Sequence, residues 1–180
     1  CISNTYANES GSIACRSCDS SSSSTKGATF CGQCNAGQYM LSQVCRSCPL
    51  GWSSVYGQRE CIECTLGKFA NAQTQATGCD LCVAGQHGRS NVPIDERISA
   101  LKACAACPVA TYSSAQGVAN ATDCTSCPPG KASSETGNTK AGDCKQCDAN
   151  TVAETSGMSE CKAPVEGSVV LAGGAAAVSK

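Results

Sequence analysis

The chain has 180 residues, of which 18 are Cys, 4% are aromatic and 15% are charged, with a net charge of −1. That cysteine density marks a disulfide scaffold. The balanced charge offers no basic field for nucleic acid or an anionic membrane, and no apolar run reaches the roughly 18 residues of a spanning helix.

Much of the 41% apolar fraction is Cys and Ala, which bury little area. Ordering a residue costs roughly 1–2 kcal/mol of backbone entropy. Aromatic-poor loops cannot offset this by burial at about 25 cal/mol per Å², so the cysteines must hold the chain. Their even number and density imply an oxidising, extracellular or cell-surface compartment. Residue 1 is Cys rather than Met, so the chain reads as processed or as a fragment.

In order, the cysteines are Cys1, Cys15, Cys18, Cys31, Cys34, Cys45, Cys48, Cys61, Cys64, Cys79, Cys82, Cys104, Cys107, Cys124, Cys127, Cys144, Cys147 and Cys161. Eight Cys-x-x-Cys pairs lie between two lone cysteines, Cys1 and Cys161. If the second Cys of each pair opens a loop and the first Cys of the next closes it, all are consumed in nine sequential bridges: 1–15, 18–31, 34–45, 48–61, 64–79, 82–104, 107–124, 127–144 and 147–161.

The residues inside the loops keep this phase. Three positions after each opening cysteine stand Asn4, Ser21, Gly37, Gly51, Gly67, Gly85, Ala110, Gly130 and Asn150. Gly and Asn there predict a turn with positive φ. Five positions after the opener stand Tyr6, Tyr39, Phe69, His87, Tyr112 and Val152, with Trp52 one place earlier. Each is the bulky group of its loop and is expected to lie on the nearest bridge. A second glycine recurs nearer the closer, as Gly11, Gly27, Gly57, Gly78, Gly117, Gly137 and Gly157. The fold expected is small and disulfide-rich: an elongated array of about nine single-bridge loops, with short β-ribbons and little helix, each loop touching its neighbours.

The first segment off pattern is the serine run from Ser20 to Thr25, expected to be a flexible or glycosylated loop. In the longest loop, Pro93 suits a helix start, Asp95 and Glu96 its first turn and Lys102 its last. Ile94, Ile98 and Leu101 then share one face, which folds back on its own loops or caps a neighbouring chain. Asn8-Glu-Ser and Asn120-Ala-Thr are N-glycosylation sequons, so Asn8 and Asn120 are expected to be exposed and glycans are expected partners.

Residues 1–161 thus read as one repeat array and 162–180 as an apolar Gly/Ala/Val tail. That tail suits the start of a lipid-anchor signal, a frayed terminus, or a docked extended strand. In the last reading, Val169, Val170 and Leu171 form a strand on the ribbon edge of another copy. With Ile98 and Leu101 they are the candidate assembly residues.

Cys-x-x-Cys pairs also describe zinc sites, but four such sites would leave Cys1 and Cys161 idle. Redox chemistry needs a thiolate at a helix N-terminus, which this pattern does not supply. His87 occupies a ring position, Asp95 and Glu96 are adjacent and diverge on a helix, and no Gly-x-Ser-x-Gly elbow is present. The sequence offers no catalytic constellation and no cofactor motif; the expectation is a non-enzyme.

The unit Cys-x-x-Cys-Pro-x-Gly-x-x-Ser, carried best by Cys124-Thr-Ser-Cys-Pro-Pro-Gly-Lys-Ala-Ser133 and by Cys45-Arg-Ser-Cys-Pro-Leu-Gly-Trp-Ser53, resembles the ephrin-receptor-like cysteine-rich repeat. It is also similar to the single-bridge modules of tumour necrosis factor receptors and to surface or extracellular proteins of single-celled eukaryotes. The resemblance implies an extracellular rod with sequential bridges. Two functions follow as expectations. One is a self-assembling, homo-oligomeric subunit of a surface filament or coat; the other is the ectodomain of a cell-surface receptor or anchored surface antigen.

Overall fold

A computed structural model of the chain describes residues 1–180 apart from positions 10, 19–21, 25, 43, 72–75, 167, 172, 175, 179 and 180. Among the described residues the fold is nine disulfide-closed loops, two-stranded antiparallel ribbons and very little helix. The bridges are the nine sequential ones, with Cα–Cα distances from 5.4 to 6.0 Å. No cysteine is free, so no thiolate is left to bind zinc or attack a disulfide.

The two residues inside a Cys-x-x-Cys lie in a strand, except in Cys31–Cys34, where the strand is Gln33–Cys34. They pair with the residues that follow the turn of the preceding loop: Thr5–Tyr6 with Arg16–Ser17, Trp52–Ser53 with Ile62–Glu63, Thr111–Tyr112 with Thr125–Ser126, and Lys131–Ala132 with Lys145–Gln146. The longest ribbon joins Gln38–Leu41 to Val44–Ser47. In the second loop the register slips by one, pairing Ser22 with Cys34. Register is weakly specified where a strand is polar and small on both faces, and Ser22–Ser23 is such a strand.

Two compact units form, and each is built from these loops. The first comprises Cys1–Thr65, Phe69–Asp80 and Val92–Lys102; the second comprises Leu66–Lys68, Leu81–Asn91 and Ala103–Lys180. In both, the interior is sulfur and small side chains. Cys34, Cys48, Cys64, Cys82, Cys107, Cys127 and Cys147 are buried, as are Ala70, Ala132, Ala153, Ser54, Ser113 and Ser133. Of the expected bulky groups, Phe69 and Val152 are buried, while Tyr6, Tyr39, Trp52, His87 and Tyr112 are half-buried.

The predicted turns are present. Asn4, Gly37, Gly51, Gly67, Gly85, Ala110, Gly130 and Asn150 all have positive φ, whereas Ser21 lies outside the described residues. Of the second glycines, Gly78 departs from the rest and lacks a positive φ. The carbonyl that meets the preceding loop there belongs to Ala76, which accepts the Ser54 amide at 3.1 Å. Position 75, one place before it, lies outside the described residues.

The helix expected over 93–102 is not continuous. Ile94–Glu96 is a 3₁₀ turn and Ala100–Ala103 a single α-turn. Arg97 breaks the run: its carbonyl accepts the Ala70 amide at 2.9 Å, its Nε donates to the Val92 carbonyl at 3.1 Å, and its guanidinium donates to the Cys64 carbonyl at 3.3 Å. A carbonyl spent on Ala70 cannot accept from the next helical turn. Ile94 and Ile98 are half-buried while Leu101 is 85% exposed, so the three do not share one buried face.

Candidate assembly surface

Successive loops are joined by backbone groups at fixed repeat positions. The amide three places after an opener donates to the carbonyl six places after the next opener: Gly37 to Ser54 at 2.7 Å, Gly85 to Ser113 at 2.8 Å, Ala110 to Ser133 at 2.8 Å and Gly130 to Ala153 at 2.8 Å. The amide at position six donates onward to the residue after the next loop's second glycine: Gly88 to Val118 at 2.8 Å, Ser113 to Asn138 at 3.0 Å and Ser133 to Met158 at 3.3 Å. That second glycine donates back to the opener's carbonyl: Gly117 to Cys82 at 2.8 Å, Gly137 to Cys107 at 2.9 Å and Gly157 to Cys127 at 2.8 Å. These bonds are made by main chain, so any loop with the same turns can supply them.

The close approach constrains Gly51, Gly67, Gly85 and Gly88 strongly. A Cβ at Gly85 would overlap the Gly137 carbonyl, and one at Gly51 would overlap the Ile94 carbonyl. Between the seventh and eighth loops a side chain reinforces the ladder. Asn138, 8% exposed, donates through Nδ2 to the Thr111 carbonyl at 3.1 Å, the Ser133 hydroxyl at 3.0 Å and the Glu135 carbonyl at 3.1 Å.

The tail continues this pattern in reduced form. Ser168–Val170 pairs antiparallel with Ala176–Val178, and Gly173 and Gly174 turn the chain between them with φ of 99° and 73°. The Gly174 carbonyl accepts the Ala153 amide at 3.0 Å, the bond that interior loops make to the residue after a second glycine. Gly174 is buried, and a Cβ there would lie 2.5 Å from Cys147 Cβ. Gln146 Nε2 donates to the carbonyls of Gly130 and Gly173.

The strand expected at Val169 to Leu171 is present over Ser168–Val170, and one of its edges is paired within its own chain. Leu171 falls outside it. A five-residue connection containing two glycines closes locally at small entropic cost, which favours the hairpin. Val169 is 53% exposed and Leu171 48%, while Val170 is half-buried.

The sequons lie on the surface. Asn8 and Asn120 are exposed, and the Asn120 amide donates to Asp123 Oδ2 at 3.0 Å; Ser10 of the first sequon lies outside the described residues, as do Ser20, Ser21 and Thr25 of the serine run. The single His87 has Nδ1 at 2.8 Å from the Gly88 carbonyl. Among the described residues no group of His, Cys, Asp and Glu could hold a metal ion, and no helix is long and apolar enough to cross a membrane. A cleft in the first unit is lined by Phe30, Tyr39, Met40 and Leu41, together with Gly32, Arg59 and Glu60.

The small residue six places after each opener was missed in the sequence. Its signal was legible, because Ala7, Ser24, Ser54, Ala70, Gly88, Ser113, Ser133 and Ala153 stand there, with Met40 the one large member. No protein-family model matches the chain, and no curated protein sequence matches it.

Proposed function

We propose that the chain is an extracellular structural protein whose copies associate with one another as subunits of a surface filament or coat. The observation that carries this reading is the backbone ladder between loops, whose donors and acceptors depend on turn geometry and hardly on side-chain identity. A loop from a second copy can satisfy the same groups. Balanced charge and bridge density fit an exposed, persistent structure outside the cell, and glycans on Asn8 and Asn120 fit the same location. The resemblance to ephrin-receptor-like repeats agrees with such an array.

The cleft lined by Phe30, Tyr39, Met40 and Leu41 favours the other reading, a receptor or antigen ectodomain that takes an apolar ligand group. Sedimentation and electron microscopy of native material separate the two. A structural subunit forms concentration-dependent polymers, whereas an ectodomain stays monomeric across the accessible range.

A further inference from the structure

The first, sixth, seventh and eighth loops each use three backbone groups to hold the next: the opener's carbonyl, the amide at position three and the amide at position six. In the ninth loop these are the Cys147 carbonyl, the Asn150 amide and the Ala153 amide. Among its described residues the tail takes the last, through Gly174. Among the described residues the Cys147 carbonyl and the Asn150 amide have no hydrogen-bond partner.

The first loop carries the complementary set. By repeat position its groups are the Ala7 carbonyl, the Ser12 carbonyl and the Gly11 amide, and none of them has a partner among the described residues. Gly11 has a φ of 81°, positive like the 70°, 76° and 78° of Gly117, Gly137 and Gly157 at their junctions, and no atom outside its own neighbours lies within 4 Å of where its Cβ would be. Two places on, Ile13 is fully exposed. Its counterpart in the eighth loop, Thr139, has its methyl against the position-three turn glycine, Gly85. Two donors and one acceptor on the ninth loop therefore match two acceptors and one donor on the first.

We propose that the ninth loop is a docking surface for the first loop of a second copy, and that the Gly173-Gly174 turn is a plug occupying part of it. The proposal deepens the self-association reading and rests on it. The contact is heterologous, since the two surfaces differ, and so it propagates from copy to copy. The plug is tethered to its seat, at an effective concentration in the millimolar range typical of short linkers. Free first loops must compete with it, which keeps intact chains apart until they are concentrated or the tail is displaced.

The test gives each half of the contact to a different protein. Gly174→Val places a branched side chain against Cys147 and opens the seat. Ile13→Asp charges the first loop at a site where the fold makes no contact. A chain carrying both substitutions has an open seat and a blocked first loop; the intact chain has the reverse.

Mixed in sedimentation velocity at micromolar concentration, the two are expected to give a one-to-one complex and nothing longer. The Gly174→Val chain alone is expected to polymerise at least tenfold more readily than the intact chain. A chain truncated after residue 166 repeats the test without the substituted glycine. The proposal is overturned if the mixture gives no complex, or if it gives the same complex when the intact chain is replaced by the Ile13→Asp chain.

Polymers of intact and Gly174→Val chains forming at the same concentration overturn the plug and leave self-association standing. Monomers throughout, in native material and in every variant, overturn both.

Discussion

The amide of Ala153 donates to the carbonyl of Gly174 at 3.0 Å, as the amide of Ser133 does to Met158 one loop earlier. The tail therefore ends the ladder of loops by imitating one rung of it. Capping of this kind is what repeat arrays need at their ends.

Loss of the Gln146 amide should loosen that cap. Gln146→Ala removes the donor to Gly130 and Gly173. Hydrogen exchange at the Ala153 amide is expected to rise by about tenfold, while exchange at Ser113, two loops away, stays unchanged. Equal acceleration at both would mean that the substitution unfolds the second unit rather than freeing the tail.

A methyl group at the close approaches should be costly. Gly85→Ala and Gly51→Ala each carry roughly 1–2 kcal/mol for a side chain in the left-handed region, with the overlap onto Gly137 or Ile94 in addition. Ala110 occupies the same turn at φ 62°, so Ala110→Gly supplies the control, expected to change stability by less than about 1 kcal/mol. Denaturant titration with the bridges intact measures all three.

Asn138→Ala should open the junction between the seventh and eighth loops. Three hydrogen bonds vanish and the Thr111 carbonyl loses a partner, a loss of about 1–3 kcal/mol for a buried polar group. Amides at Ser113 and Gly137 are expected to exchange faster, and those in the first unit to keep their rates.

Acid should loosen the 3₁₀ turn at Ala141–Asp143. The Asp143 carboxylate accepts the Thr139 amide at 2.8 Å and the Lys140 amide at 3.1 Å, and these bonds hold its pKa below the usual carboxylate value. A depressed folded pKa means that the stabilisation is complete above the unfolded carboxylate range and disappears as pH falls through the folded value. The Thr139 and Lys140 amide shifts should titrate there in the wild type and not in Asp143→Asn. Titration surviving in that variant assigns the effect to another group.

Glycosidase treatment of native material should shift the mass of the peptides carrying Asn8 and Asn120, both exposed. Unchanged masses on both would remove glycans from the account.

The sequence carried the bridges and the turns because both are local and phased: two lone cysteines fix the pairing, and a left-handed turn demands Gly or Asn. The ladder between loops was harder to read, since main-chain groups leave no side-chain signature except a requirement for small residues. That requirement stands in Ser54, Ala70, Ser113, Ser133 and Ala153, all buried. The helix over 93–102 misled because Ile94, Ile98 and Leu101 have helical spacing, while the Arg97 carbonyl is spent on Ala70. The tail's strand was legible in its β-branched residues, but its partner was set by the short glycine-bearing connection.

Self-association through loops is tested most directly by crosslinking native material made from equal parts of light and isotopically heavy protein. A photo-crosslinker attached at the exposed Lys162, beside the ninth loop, should capture residues of the first loop, among them Ile13. The account predicts light-to-heavy crosslinks joining these two loops at the frequency of random mixing. Crosslinks from Lys162 confined to chains of a single isotope would contradict it.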